Sequence, residues 1–260
     1  MKRTLIHVDL SQIPHPFHPF FQDAAVFDSS CSQAAQVFFL DKQDGFYLKS
    51  APKGTLEKEA AMTRFFHTKG LGAEVICYAS LEKDWMLTRR VQGEDCLDPM
   101  YLSDPRRLCD TTAILLRQLH DQDPTGCPVH RTADYLATAQ RNFAANRYDT
   151  SLFPDNWGYA TAEEAWAEIC RNGKYLQSDT LLHGDYCLPN IILQDWALSG
   201  FIDLDTGGLG DKHIDLFWGM WSLQFNLKTD LYCQRFLDVY GREDICTDAF
   251  RTVAACEVFG

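Results

Sequence analysis

His183-Gly184-Asp185-Tyr186-Cys187-Leu188-Pro189-Asn190, followed by Gly200-Phe201-Ile202-Asp203, decides how this chain is to be read. An Asp and an Asn stand five residues apart in what reads as a loop, and a second Asp closes a short apolar run eighteen residues after the first. Taken alone, Asp185 and Asn190 would read as turn caps, because the D-x-x-x-x-N spacing is common by chance. Asp203 changes that balance. Three oxygen-bearing side chains in this order suit phosphoryl transfer, where catalysis is mostly positioning and electrostatics. One carboxylate, Asp185, would orient an attacking hydroxyl and accept its proton. The Asn190 amide and the Asp203 carboxylate would hold magnesium, a hard ion that takes oxygen ligands. The ions would offset charge on a triphosphate.

Working outward, the chain before this stretch changes character once. Short apolar runs at 36–40 and 45–50 flank the polar turn Asp41-Lys42-Gln43-Asp44, which predicts a hairpin. A helix is predicted over 56–68, then strands over 74–79 and 85–88. The opening stretch to Phe27 reads as irregular, with Pro14, Pro16 and Pro19 among aromatics. Its His15-x-x-His18 pair reads as part of a packed loop, since no third metal ligand lies nearby. After a polar connector around 89–98, the pattern turns helical: Leu108, Thr112, Leu115, Leu116 and Leu119 share one helix face. Further helices are predicted over 131–146, 161–172, 212–226, 229–240 and 247–258. The fold class expected is α+β and bilobal, with a small β-rich lobe over residues 1–90 and a larger helical lobe over 91–260.

A second signal lies in the first lobe. Tyr47-Leu48-Lys49 reads as a strand bearing a lysine, and Glu59 shares a helix face with Leu56, Met62 and Phe66. A carboxylate on an apolar face needs a partner, because an unpaired buried charge is expensive. Lys49 is the natural candidate. In protein kinases, a strand lysine paired with a helix glutamate holds the nucleotide phosphates. A purely structural ion pair would look the same.

Composition narrows the partners. The 260 residues carry 24 Lys and Arg against 36 Asp and Glu, a net charge of −12 that argues against a nucleic-acid partner and favours a cationic ligand. Ten cysteines include no C-x-x-C pair, so they read as reduced, partly buried thiols. No leader-like or bilayer-spanning apolar segment is apparent, and a cytoplasmic protein without a membrane partner is expected.

The whole chain, from about residue 20 onward, resembles the bacterial aminoglycoside 3′-phosphotransferases, a family with a protein-kinase-like fold. The residues that carry the resemblance are Cys31-Ser32-x-Ala34-Ala35, Tyr47-Leu48-Lys49, Leu119-His120-x-x-Asp123-Pro124-x-x-Cys127-Pro128, His183-Gly184-Asp185 through Asn190, Gly200-Phe201-Ile202-Asp203, and then Gly208, Asp211 and Asp215. It implies transfer of the γ-phosphate of ATP, with GTP left open, to a hydroxyl of an aminoglycoside, the 3′ position first among them. Mg2+ is the implied cofactor. Asp185 resembles the catalytic base, and Asn190 and Asp203 the metal ligands. Lys49, held by Glu59, would bind the α- and β-phosphates. Tyr47 resembles the aromatic that stacks on adenine, Ser32 lies in the phosphate-covering loop, and Arg89 to Val91 match the connector whose backbone meets the base. His183 and Asp215 would support the catalytic loop. A monomer or a weak dimer is expected.

On the substrate side, Asp155 and Glu257 match acidic positions of the family. Cys256 stands where a second carboxylate is expected, so a Cys256→Asp change is expected to tighten binding of highly charged acceptors. Thr206 replaces an arginine, and Trp221 and Phe225 replace charged residues. With Trp218, these aromatics read first as helix packing. Two rivals stay open: a kinase of the same fold acting on choline, a sugar or another antibiotic, and a nucleotide-binding pseudokinase. The intact set Lys49, Glu59, Asp185, Asn190 and Asp203 argues against the second.

Overall fold

Phe38 and Leu40, Phe46 and Leu48, and Trp85 and Leu87 are each spaced by two along a strand, and that period turns all six side chains to one face of a sheet. The computed structural model describes residues 3–148 and 158–260. The chain divides into two compact units, one of residues 1–98 with 189–205, the other of residues 99–188 with 206–260. Residues 189–205, which the sequence places in the helical part, thus fold with the first unit.

In the first unit β1 (Thr4–Leu5), β2 (Ala25–Asp28), β3 (Gln36–Asp41), β4 (Phe46–Pro52), β5 (Val75–Ser80) and β6 (Lys83–Arg89) form an antiparallel sheet in the order β1-β2-β3-β4-β6-β5. The predicted hairpin is β3–β4, with Leu40 opposite Phe46. The opening stretch is more ordered than its prolines suggest. It supplies two strands and the short helix α1 (His18–Phe21), and it lays Ile13, Phe17 and Phe21 over the apolar face. Each large side chain so buried contributes roughly 1.5–3 kcal/mol. His18 Nε2 bonds the Ile13 carbonyl at 2.7 Å, in keeping with a packed loop.

Helix α2 (Glu57–Thr68) covers the opposite face through Leu56 and Ala60, which pack with Ala51 and Met86. It lacks a side-chain cap of its own. Asp84, fully buried on β6, accepts the Leu56 N–H at 3.0 Å and satisfies a donor that the helix start leaves open. Strands β7 (Glu94–Asp95), β9 (Ile191–Gln194) and β10 (Ala197–Phe201) complete this unit as a small antiparallel sheet.

The second unit contains α3 (Pro99–Leu102), α4 (Pro105–His120), α5 (Thr132–Ala144), α6 (Ala162–Asn172), α7 (His213–Leu227), α8 (Cys233–Tyr240) and α9 (Thr247–Glu257), with β8 (Thr180–Leu182) paired to β11 (Gly208–Gly210). Asp104 caps α4 by accepting the Arg107 N–H, and Thr161 caps α6 by accepting the Glu164 N–H. Helix α8 begins four residues later than predicted from the sequence. A left-handed Lys228 and a turn in which Leu231 N–H meets Thr229 Oγ1 occupy the expected first turn.

Candidate active site

Within β4 the side chains of Tyr47 and Lys49 alternate with buried Phe46 and Leu48, so they face the side that α2 covers. Lys49 Nζ lies 3.0 Å from Glu59 Oε1, 2.8 Å from Glu59 Oε2 and 2.7 Å from Asp203 Oδ1. The ion pair inferred from the helix pattern is present, and Asp203 joins it. Burial alone would lower the Lys49 pKa, but the two carboxylates outweigh it and hold the ammonium charged above its ordinary range. Glu59 is 3% exposed; burial pushes its carboxyl up to about 7 while Lys49 pulls the other way.

Asp203 sits in the left-handed backbone region with φ 61°, a conformation that disfavours a side chain other than glycine. Its ion pair with Lys49 helps hold it there. Asn190 is buried, and its carbonyl accepts the Ile202 N–H at 3.1 Å. Phe201 pairs with Ile191 in the same β9–β10 hairpin. The hairpin therefore closes with Asn190 and Asp203 at one end, although they lie thirteen positions apart in the chain.

The other residues expected at a nucleotide site lie in this unit too. Ser32 is exposed in the loop between β2 and β3, where its Oγ accepts the Ala34 N–H at 3.3 Å. Tyr47 Oη accepts from the Arg3 guanidinium at 2.7 Å, and its ring packs on Phe39. Arg89 ends β6 with its side chain paired to Glu74 at 3.0 Å and its backbone N–H on the Glu74 carbonyl at 2.9 Å. Val91 packs against Gly200, where an added Cβ would meet its methyl at 3.1 Å.

The base candidate belongs to the second unit. Gly184 has φ +89°, and a Cβ there would fall 1.9 Å from the Thr206 carbonyl oxygen, so only glycine fits this turn. Both Asp215 oxygens accept backbone donors from the loop: Oδ2 from His183 N–H at 2.8 Å and Oδ1 from Gly184 N–H at 2.7 Å. Asp185 N–H donates to His183 Nδ1 at 3.3 Å, and Ser222 Oγ accepts the Leu188 N–H at 2.9 Å. These bonds fix the backbone on either side of Asp185. Behind them, His120 bridges Asp215 Oδ2 at 3.2 Å and Tyr240 Oη at 2.8 Å. His120 entered the sequence reading only as part of a motif, and nothing local marks Tyr240. The Asp211–His213 pair is a separate latch: Asp211 Oδ1 lies 2.6 Å from His213 Nδ1, and His213 Nε2 accepts the Cys246 N–H at 2.9 Å.

Glu257 is 8% exposed, and its Oε1 accepts from Tyr135 Oη at 2.7 Å and Trp218 Nε1 at 3.1 Å. Burial raises its carboxyl to about 7, the two donors and Arg131 oppose that, and the Asp185 carboxylate adds to it. Cys256 is 2% exposed inside the same unit. An Asp in its place would bury a charge instead of reaching a ligand, so the Cys256→Asp expectation is corrected to a loss of stability. Asp155 lies outside the described residues.

A family model, the phosphotransferase enzyme family, matches residues 27–252. The chain belongs to that family. This phosphotransferase is 47% identical over 257 residues to a protein of Lactococcus lactis described as a "probable aminoglycoside 3′-phosphotransferase", with 98% of each chain covered. It is 33% identical over 139 residues, about half of each chain, to the streptomycin 3″-kinase of Streptomyces griseus. Among solved structures, the aminoglycoside phosphotransferase of Streptomyces rimosus superposes with a TM-score of 0.77 at 22% identity, covering 97% of this chain and 99% of that one. That likeness establishes the kinase-like α+β fold expected from the sequence. No helix among the described residues is long and apolar enough to cross a membrane.

The donor chemistry of this phosphotransferase suits magnesium. Among the described residues no group of three or more His, Cys, Asp or Glu forms a protein-only metal cage. Magnesium does not need one, because it keeps waters and shares phosphate oxygens with one or two protein ligands. Asp203, with its side chain 49% exposed, and the Asn190 amide are hard oxygen donors at one end of one hairpin. They fit the ion.

Proposed function

We propose that this phosphotransferase transfers the γ-phosphate of ATP, with magnesium, to a hydroxyl of an aminoglycoside, first the 3′-hydroxyl. The observation that carries phosphoryl transfer is the Lys49 ammonium held between Glu59 and Asp203. The near full-length likeness to a Lactococcus lactis relative bearing that name supports the choice of acceptor.

In this reading Lys49 binds the nucleotide phosphates as a permanent cation, and Glu59 keeps its Nζ in place. Asn190 and Asp203 hold magnesium, which offsets phosphate charge when bound. Asp185 orients the acceptor hydroxyl and takes its proton at a carboxylate oxygen. The hydrogen bonds from His183 and Gly184 to Asp215 keep that carboxylate from wandering, and positioning of this kind supplies much of the barrier reduction. The excess of acidic residues suits an acceptor that carries several ammonium groups.

A coupled ADP-release assay with ATP and with GTP, across a panel of aminoglycosides, choline and simple sugars, tests the reading. Magnesium-dependent turnover of kanamycin-type compounds, with the product phosphorylated at the 3′ oxygen by NMR, is the expected result. Turnover of an uncharged alcohol with none of any aminoglycoside would overturn it.

A further inference from the structure

Asp215 is fully buried, and the backbone N–H groups of His183 and Gly184 aim at its two oxygens. That is the setting of an ionised carboxylate, which can only accept hydrogen bonds. His120 Nε2, 3.2 Å from Asp215 Oδ2, must therefore carry a proton. The other ring nitrogen, Nδ1, lies 2.8 Å from Tyr240 Oη. The His120 and Tyr240 side chains are both buried, so each polar atom has to be satisfied inside the protein.

One protonation pattern satisfies all three groups. A cationic imidazole would donate from both nitrogens, so Tyr240 Oη would accept and its own O–H would need a second acceptor. Among the described residues Tyr240 Oη has no hydrogen-bond partner other than His120. Arg117, whose Cζ lies 5.6 Å from the Tyr240 ring centroid, can only donate. With a neutral imidazole, Nε2–H donates to Asp215 and Nδ1 accepts the Tyr240 O–H. Burial, opposed by Arg117 and reinforced by the Asp121, Asp215 and Asp244 carboxylates, raises the Tyr240 hydroxyl above its ordinary range and keeps it a donor. The phenol is itself well placed. Its ring meets His120 edge to face at 5.6 Å, and Arg117 beside it is fixed by Asp121 and Asp244.

We propose that Tyr240 is a positioning residue for the reaction: its O–H donates to His120 Nδ1, fixes the imidazole as the Nε2–H tautomer, and so keeps Asp215 aligned under the loop that carries Asp185. The hydrogen bond at one imidazole nitrogen sets the state of the other, and here the chain of bonds ends on the backbone beside the base. The proposal rests on the reading of Asp185 as base in the function proposed above.

Steady-state kinetics on wild type, Tyr240→Phe, His120→Gln and the double variant test it, together with long-range proton–nitrogen NMR of the histidine rings in the absence of substrate. Tyr240→Phe should lower kcat about three- to tenfold, short of the ~10²-fold that a misplacement of about 1 Å can cost, with the ATP and acceptor KM within about twofold. In the His120→Gln background the same change should move kcat by less than about twofold, because the phenol acts only through the imidazole. The spectrum, with His120 assigned by its loss in His120→Gln, should show a neutral ring protonated at Nε2, and Tyr240→Phe should shift its Nδ1 signal. A folded Tyr240→Phe enzyme with wild-type kcat, an undiminished effect of that change without His120, or a wild-type His120 protonated at Nδ1 would each overturn the proposal and leave the proposed function standing. Wild-type turnover by Asp185→Ala would instead overturn the reading of the base.

Discussion

Glu257 offers a quantitative test of how the second unit is built. Its carboxyl is raised from the ordinary 4.5 to about 7, chiefly by burial, against hydrogen bonds from Tyr135 and Trp218 that favour the anion. The folded state therefore holds a proton that the unfolded chain releases. A group with a raised folded pKa contributes its stability in full below the unfolded value and loses it as pH rises through the folded value. The window is pH 4.5 to about 7. Each pKa unit corresponds to about 1.4 kcal/mol, so the shift amounts to ~3 kcal/mol across the window. Glu257→Gln keeps the shape and cannot ionise. The stability of wild type minus that of Glu257→Gln should thus fall by ~3 kcal/mol as pH rises through the window, then level off. Urea titrations of both proteins at half-unit pH steps from 4.5 to 8.5, followed by circular dichroism, measure this difference directly. A flat difference would mean that the carboxylate is as well stabilised folded as unfolded, and one that grows with pH that folding favours the anion; either would refute the reasoning.

Asp185→Ala should lower kcat by about 10²–10⁴-fold while nucleotide affinity, read by calorimetry, stays near that of wild type. Asp203→Ala should weaken magnesium-dependent nucleotide binding more than Asn190→Ala, because a carboxylate is replaced instead of an amide; titrations with ATP at several magnesium concentrations rank the two, and equal metal dependence would reverse the assignment. Lys49→Met should lower stability by about 3–5 kcal/mol in urea at pH 8, since it strands the buried Glu59 carboxylate, and Lys49→Met with Glu59→Leu should recover most of that. Cys256→Asp should destabilise the protein and leave acceptor KM unimproved, as thermal melts and kinetics on the surviving folded fraction would show.

The sequence alone determined the parts whose signal is local. The β3–β4 hairpin was legible because a polar turn separates two apolar runs, and α2 because Leu56, Glu59, Met62 and Phe66 repeat at helical spacing. The Lys49–Glu59 pair followed from the cost of a lone buried charge, and Asp185, Asn190 and Asp203 stood out as oxygen donors by their spacing. Tertiary structure decided what depends on residues far apart in the chain. The ordered N-terminal strands, the Asp84 cap on α2 and the packing of residues 189–205 with the first unit leave no periodic trace in sequence. Tyr240 reaches the Asp185 loop through His120 and Asp215 across 120 residues, and Glu257 meets Tyr135 across 122. Periodicity reports which way a side chain points along its own element. Which distant partner it meets, and whether water reaches it there, is settled only when the chain closes on itself.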